Sequence, residues 1–248
     1  MNSSPYSKKT SRIDLDDVSI VLDTRPGKDR DKSKGSTFVM VKEEGMIDFY
    51  KELKRRDGEN IKNIMEVGMF EGGSLVFFDK LFTPDKIVGV DIRREPIKPL
   101  ERYVRDKSHI KTYYGRSQDK IGTLMAARSN FPDGIDLVVD DASHMYAETK
   151  ATFEMLFPLV RPGGYYIIED WAWAHQPDHN QDTPHPWHDK PALTNLVFQI
   201  VVASACYGVI EEVVVNSNLV CIKKGRGVLP ENALDLHGRL RGRELPMI

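Results

Sequence analysis

Short apolar runs alternate with helical patterns through the middle of the chain. The apolar runs lie at 61–67, 86–92, 109–115, 135–141 and 163–170. The helical patterns between them lie at 74–82, 97–107, 118–128 and 147–160. Strands and helices that alternate at this spacing form βαβ units, so the pattern predicts an α/β fold with a parallel, Rossmann-like sheet.

Two further patterns extend this sheet. Apolar positions at helical spacing over 41–56 predict an amphipathic helix that leads into the core. A helix over 192–207 precedes two β-rich runs at 209–215 and 218–224, which the turn residues Asn216 and Ser217 separate. This pair predicts an antiparallel hairpin at the C-terminal end of a seven-stranded, mostly parallel sheet.

The segments around this pattern are polar. Residues 1–36 predict a flexible N-terminal arm, with a short ordered piece around 18–22 left open. We expect one domain over 37–225 and a C-terminal tail over 226–248. Within the domain, 171–190 has no periodicity and is rich in His, Pro and Trp, which is typical of a functional lid loop.

Composition limits the class of protein. The chain has 248 residues, 40 % of them hydrophobic, and a net charge of −2, which fits one domain and disfavours nucleic acid as a partner. The longest apolar run, 196–206, falls short of the roughly 20 residues of a membrane span. Cys206 and Cys221 lie in apolar runs far from any CxxC spacing, and we find no signal peptide, so we expect a reduced, cytoplasmic protein.

A glycine-rich turn follows the first strand of the alternating pattern. It contains Glu66, Gly68, Gly72 and Ser74, and Asp91 ends the next strand about 20 residues later. Glycines let a ligand approach the backbone, and the acid is placed to accept ribose hydroxyls. The spacing is not GxGxxG, and Glu66 suits a cation better than a pyrophosphate. S-adenosylmethionine, a nucleoside with a sulfonium and an ammonium, fits this combination, although a plain tight turn would need the same glycines.

A third contact to the nucleoside is expected after the strand at 109–115. Ser117 lies there, where adenine would cross the edge of the sheet. Serine also caps helix N-termini well, so Ser117 is equally interpretable as the N-cap of the helix at 118–128.

Acidic side chains end two neighbouring strands. Asp140 and Asp141 follow one strand, and Glu169 and Asp170 follow the next. Such a cluster repels itself unless a cation is bound, and an all-oxygen set suits Mg²⁺, with Mn²⁺ or Ca²⁺ as alternatives. We predict Asp141, Glu169 and Asp170 as ligands. Asp140 points the opposite way and either faces the cofactor or caps the loop, and ordinary solvated turn acids are the alternative for the whole set.

His144 follows Asp141 by three residues, so both side chains are able to face one substrate. An imidazole titrates near neutral pH and is suited to remove a hydroxyl proton, which makes His144 the predicted general base. A structural histidine that holds the loop by hydrogen bonds is the alternative.

The segment 135–171 carries two linked motifs, DDxSH and PGGxYxIED, and EVGxxxGGS and VGVD precede them. Over about 61–170 the chain resembles the metal-dependent natural-product O-methyltransferases, typified by macrocin and mycinamicin sugar O-methyltransferases and by polyketide synthase methyltransferase domains. The resemblance implies a class I methyltransferase fold, S-adenosylmethionine and Mg²⁺. It also implies metal ligands at Asp141, Glu169 and Asp170, and deprotonation of the acceptor by His144.

From these motifs we predict methyl transfer to a hydroxyl of a small-molecule or carrier-bound acceptor, either a sugar, a polyketide or another diol. A nicotinamide oxidoreductase, a metal-dependent hydroxylase and a non-catalytic cofactor-binding subunit remain alternatives. The lid contains histidines at 175, 179, 185 and 188. We predict that the lid folds over the acceptor and that these histidines form hydrogen bonds to it. A zinc site is less favoured, because prolines separate the histidines and no cysteine lies among them. The oligomeric state, a homo-oligomer included, stays open.

Overall fold

The computed structural model describes residues 10–25, 27–175, 189–205, 208–229 and 234–240. The strands in these ranges are β1 (Thr10–Leu15), β2 (Val18–Asp23), β3 (Thr37–Met40), β4 (Asn63–Val67), β5 (Lys86–Asp91), β6 (Ile110–Tyr114), β7 (Ile135–Asp140), β8 (Val160–Glu169), β9 (Ile210–Val215) and β10 (Leu219–Lys224). The α-helices are α1 (Glu44–Asp57), α2 (Gly73–Phe82), α3 (Lys98–Val104), α4 (Ile121–Asn130), α5 (Tyr146–Leu156), α6 (Thr194–Ser204) and α7 (Leu236–Arg239).

The main sheet has seven strands in the order β6-β5-β4-β7-β8-β10-β9. Strands β4 to β8 pair in parallel, and β10 runs antiparallel to both β8 and β9. This confirms the predicted α/β fold with its mostly parallel sheet and antiparallel C-terminal hairpin. Because the parallel strands start from β4 and extend in both directions, the carboxyl ends of β4, β5, β7 and β8 meet at one edge.

Helices cover both faces of the sheet. Every residue of β7 is buried, as expected for a parallel strand with a layer on each side. On one face, α1, α2 and α3 contribute Tyr50, Phe78 and Leu100 to the core. On the other face, α4, α5 and α6 contribute residues such as Phe153 and Leu196.

The N-terminal region differs from the predicted flexible arm over residues 1–36. From residue 10 onward, strands β1, β2 and β3 form a small sheet in which β2 pairs antiparallel with β1 and parallel with β3. Ile20, Leu22 and Phe38 are buried in the same cluster as the helices of that face. The strands are only four to six residues long, and a charged stretch separates β2 from β3. Their alternation is therefore hidden in the average composition, and packing against the domain stabilises them.

The region after residue 225 also packs onto the domain where it is described. Leu229 and Leu236 are buried in the cluster formed by α4, α5 and α6, and Leu236 N donates to Glu154 Oε1 at 2.9 Å. The packed core thus includes residues before the predicted domain start at 37 and residues after the predicted domain end at 225.

The predicted lid falls mostly outside the described residues. His179, His185, His188 and Trp187 all lie there, as does Cys206, whereas His175 Nε2 makes a 2.6 Å hydrogen bond with Thr194 Oγ1. Among the helices in the described ranges, none combines the length and the apolarity that crossing a membrane requires.

Candidate active site

The glycine-rich turn lies between β4 and α2. Gly68 and Gly72 adopt left-handed backbone conformations, with φ of +93° and +82°. A Cβ at Gly68 would lie 2.2 Å from the backbone oxygen of Asp141, so only glycine allows this approach between the ends of β4 and β7. The turn consequently touches the segment that carries the acidic cluster, and the two predicted sites adjoin each other.

Asp91, at the end of β5, holds the turn in place. Its Oδ2 accepts hydrogen bonds from Met69 N at 2.9 Å and Phe70 N at 3.1 Å, and its Oδ1 accepts one from Arg93 N at 2.8 Å. A carboxylate has about four lone-pair positions, so further acceptor capacity remains for a ligand hydroxyl. The acid that was predicted to bind ribose therefore also shapes the turn.

Glu66, on β4, is fully buried, and neither of its carboxylate oxygens has a hydrogen-bond partner within the described residues. Burial raises the pKa of Glu66 to about 8, although the positive charge of Lys42 and the nearby Ser74 hydroxyl oppose the increase. Unpaired buried carboxyl groups are rare because they cost free energy. A cationic ligand at the turn would supply the missing partner.

The acidic cluster forms where β7 and β8 end. Asp141 Oδ1 lies 3.8 Å from His144 Nε2, and Asp170 Oδ2 lies 3.9 Å from the same nitrogen. One ligand atom from each of these three residues lies within 4.8 Å of the other two. Two carboxylates and an imidazole are thus close enough to share one divalent cation or one substrate group.

His144 and Asp170 both have left-handed backbone conformations, with φ of +56° and +51°. Non-glycine residues in this region are strained and persist only where the surroundings impose them. Here Trp173 Nε1 donates to His144 O at 2.6 Å, and Asp170 N donates to Asn218 O at 2.8 Å. The indole and the β9–β10 turn therefore fix the backbone of the two residues whose side chains face each other.

Glu169 occupies a different environment from its neighbour Asp170. It is fully buried, one oxygen accepts from Tyr50 Oη, and the other contacts Lys42 Nζ. Lys42 Nζ also donates to Asp141 Oδ2 at 2.9 Å. Burial alone would lower the pKa of Lys42, but the carboxylates of Asp141 and Glu169 outweigh it and raise this pKa above its usual range.

Sequence reasoning missed Lys42 and Tyr50. Lys42 follows the apolar run of β3, and Tyr50 fits the apolar face of α1, so neither carries a motif. Only the packing of β3 and α1 against the ends of β7 and β8 brings them to the acids.

Two of the predicted cofactor contacts have partners within the protein. Asp140 Oδ2 accepts from Tyr166 Oη at 2.9 Å, and its Oδ1 lies 3.5 Å from Gln118 Nε2. Burial raises the pKa of Asp140 to about 7, and the hydrogen bond from Tyr166 limits the increase. Ser117 Oγ donates to Asp119 Oδ1 at 2.6 Å and does not cap α4, whose first residue is Ile121.

Comparison with known proteins adds an independent observation. The family described as "Methyltransferase domain" matches residues 65–171. Mycinamicin VI 2''-O-methyltransferase from Micromonospora griseorubida is 34 % identical over an alignment of 121 residues that covers 46 % of this chain and 28 % of that protein. Demethylmacrocin O-methyltransferase from Streptomyces fradiae is 33 % identical over an alignment of 132 residues that covers 48 % of this chain and 30 % of that protein. The chain therefore spans about a third or less of the length of these relatives.

Solved structures of methyltransferases also resemble this chain. The MycE methyltransferase of mycinamycin biosynthesis, in complex with Mg, SAH and mycinamycin VI, superposes with a TM-score of 0.56 at 28 % identity. The match covers 74 % of this chain and 51 % of that chain. A putative caffeoyl-CoA O-methyltransferase from Staphylococcus aureus, at 17 % identity and a TM-score of 0.54, covers 75 % of this chain and 86 % of that chain, and it shares the fold.

Proposed function

We propose that this chain, whose residues 65–171 match the methyltransferase-domain family, transfers a methyl group from S-adenosylmethionine to a hydroxyl of a natural-product acceptor. The observation that carries the proposal is the buried carboxyl group of Glu66 beside the glycine-rich turn, which has no hydrogen-bond partner among the described residues. It lies next to an edge with two carboxylates and a histidine. A cationic nucleoside fits the first feature, and proton removal from a hydroxyl fits the second.

For the cofactor, we assign Glu66 to the positive charge of the methionine part and Asp91 to the ribose hydroxyls. Gly68 and Gly72 let the backbone approach the ligand, and Ser74 begins the helix behind it. The unpaired oxygens of Glu66 are the observation by which S-adenosylmethionine fits this chain.

Ser117 stays a proposed contact for the adenine. For Asp140 we propose an indirect role, because its carboxylate meets Gln118 Nε2, while Gln118 Oε1 accepts from Ser143 N at 2.9 Å. Asp140 would then orient the loop between Asp141 and His144 and would not touch the cofactor itself.

For a divalent cation, Mg²⁺ before Mn²⁺ or Ca²⁺, we propose the ligands Asp141, Glu169 and Asp170. The chemistry of the oxygen donors fits a hard cation, and Asp141 and Asp170 already lie within reach of one ion. Each oxygen of Glu169 already has a partner, Tyr50 Oη or Lys42 Nζ, so a cation at Glu169 would compete with the Lys42 ammonium. The bound cation would supply a fixed positive charge that lowers the pKa of the acceptor hydroxyl.

His144 is the proposed general base. Its Nε2 would take the proton of the acceptor hydroxyl while the oxygen accepts the methyl group. The carboxylates of Asp141 and Asp170, 3.8 and 3.9 Å from this nitrogen, would stabilise the positive ring that results. Trp173, bound to the backbone oxygen of His144, keeps the ring in place during the transfer.

The acceptor class is proposed from the relatives. Their names specify O-methylation of mycinamicin VI at 2'', of demethylmacrocin, and of a rhamnosyl tetracenomycin C at 3'. We therefore propose a glycosylated polyketide, either as a small molecule or bound to a carrier. An acid-rich edge suits the neighbouring hydroxyls of such a sugar through a shared cation.

Calorimetric titration of S-adenosylhomocysteine into the purified chain tests the cofactor assignment. We expect a Kd in the micromolar range, about −8 kcal/mol. Asp91→Ala should abolish the binding, whereas Asp85→Ala, an exposed acid just before the other end of β5, should leave it unchanged. The absence of binding in both Mg²⁺ and EDTA buffers would refute the methyltransferase proposal.

Turnover then tests the base. With labelled S-adenosylmethionine and a panel of glycosylated and sugar-free polyketides, we expect label in the glycosylated ones. His144→Gln should keep S-adenosylhomocysteine binding and lose transfer. Full transfer by a correctly folded His144→Gln variant would remove His144 from the mechanism.

A further inference from the structure

Lys42 is a buried cation that no sequence motif explains. It follows β3, outside the residues that match the methyltransferase domain, and its side chain has 0 % exposure. Its Nζ contacts one oxygen each of Asp141 and Glu169. Burying an ammonium costs free energy unless its charge is compensated, and here two carboxylates compensate the charge and fix its position.

Glu169 is held from both sides. Tyr50 Oη donates to one oxygen, and Lys42 Nζ takes the other. Tyr50 lies on α1 and Lys42 just before it, so one short segment fixes the whole carboxylate. Asp141 is in a different position, because Lys42 meets its Oδ2 while its Oδ1 faces His144.

The ammonium and a divalent cation would therefore require the same oxygens. Both bind carboxylates through charge, and an oxygen in contact with Lys42 Nζ repels a second cation placed beside it. Asp141 and Asp170 keep oxygens toward His144, whereas both oxygens of Glu169 are engaged, one by Tyr50 Oη and the other by Lys42 Nζ.

We propose that Lys42 is an internal competitor of the divalent cation for Glu169, and thereby sets the affinity of the metal site. The inference rests on the proposed function, because it assumes that Asp141, Glu169 and Asp170 hold this cation. Lys42 is a positioning residue here: it keeps Glu169 in place by an ion pair, and the cation gains its third carboxylate only by displacing the ammonium.

Binding of Mn²⁺ alone, measured from the electron paramagnetic resonance signal of the free ion, tests the inference without any turnover. Lys42→Met removes the competing charge, so we expect Mn²⁺ to bind about tenfold more tightly, or better. Lys42→Gln keeps a hydrogen-bond donor without charge and should give a similar gain. It also serves as the second variant if Lys42→Met folds poorly.

A double variant locates the effect at Glu169. In Lys42→Met/Glu169→Gln the gain should disappear, because the carboxylate for which the two cations compete is gone. The matched control is Lys224→Met, since Lys224 is also buried but its Nζ donates to the backbone oxygens of Phe157 and Pro158. This control should leave the Mn²⁺ affinity unchanged.

Thermal unfolding gives a second measurement. Without metal, Lys42→Met should unfold at a lower temperature than the wild type, because Glu169 loses its compensating charge. Added Mn²⁺ should raise the Tm of Lys42→Met more than that of the wild type, since the stabilisation by a ligand grows with the logarithm of its concentration divided by its Kd. A lysine that only fills space would not change the response to Mn²⁺.

The outcomes separate the two proposals. If Asp141→Asn abolishes Mn²⁺ binding but Lys42→Met and Lys42→Gln bind it no more tightly than the wild type, the competitor role is refuted and the metal site stands. If neither the wild type nor the two Lys42 variants bind Mn²⁺, or if Asp141→Asn has no effect, the metal part of the proposed function fails instead.

Discussion

Replacing Glu66 with glutamine tests whether the buried carboxyl group beside the glycine-rich turn is the partner of a cationic ligand. The side chain keeps its shape but loses its charge. The pKa of Glu66 is about 8 in the folded chain because of burial, against an ordinary value of 4.5. Between these two values the folded state keeps a proton that the unfolded chain has released, so the stability of the wild type falls as the pH rises through this range.

The size of the effect follows from the two pKa values. One pKa unit corresponds to about 1.4 kcal/mol. Across the interval from 4.5 to neutral pH, Glu66 therefore costs the folded wild type about 3 kcal/mol. Glu66→Gln does not have this cost, because an amide does not titrate.

Equilibrium unfolding in urea, repeated at several pH values, measures the difference. We expect the unfolding free energy of Glu66→Gln, relative to the wild type, to rise by about 3 kcal/mol between about pH 5 and about pH 7.5. Other titrating groups are common to both proteins and cancel. Glu59→Gln, at an exposed position, is the control and should follow the wild type at every pH.

Two parallel pH curves for Glu66→Gln and the wild type would refute this reasoning. Binding gives the complementary test, because a cationic ligand favours the carboxylate. S-adenosylhomocysteine should bind the wild type with release of a proton near neutral pH, so its binding heat should depend on the buffer. Glu66→Gln should bind it more weakly and without this dependence.

Two further predictions concern packing and positioning. Gly73→Ala would place a Cβ 2.3 Å from Val39 O and should lower the unfolding free energy in urea by about 2 kcal/mol. The control, Gly45→Ala in α1, places its Cβ where nothing lies within 4 Å and should be neutral or stabilising. An unchanged urea midpoint for Gly73→Ala would contradict the contact of β3 with α2. Trp173→Phe removes the donor to His144 O and should lower kcat about tenfold with an unchanged Kd for S-adenosylhomocysteine. Equal losses in both quantities would show that Trp173 supports the cofactor site as well.

Local patterns of apolar residues were sufficient to predict the strands and helices in the middle of the chain. Each parallel strand from β4 to β8 is a short apolar run with a helix after it, and burial on both faces requires such runs. Since parallel strands end at one edge, the order of the motifs along the chain also brought Glu66, Asp91 and Asp141 to that edge. That Asp141 and His144 face one substrate stays a prediction; in the structure their side chains lie 3.8 Å apart, and Asp170 lies 3.9 Å from the same imidazole nitrogen.

The same local patterns did not predict contacts between segments that lie far apart in the sequence. Strand β3 pairs with β2 across a polar connection, and the buried leucines after residue 225 depend on α5 and α6. Because both regions are polar on average, the sequence predicted a flexible arm at the N-terminal end and a tail at the C-terminal end. Their few apolar residues are stabilised only by surfaces that the rest of the fold provides.

The sequence by itself determined the fold class, the glycine-rich turn and the acids at the ends of β7 and β8, because these depend on periodicity and on neighbours along the chain. Only the tertiary structure decided how the charges pair. It placed the ammonium of Lys42 against Asp141 and Glu169 and left the Glu66 carboxyl group without a hydrogen-bond partner in the described part of the chain. Charge pairing depends on distance in space, and Lys42 lies about a hundred residues from its nearest acidic partner in the sequence.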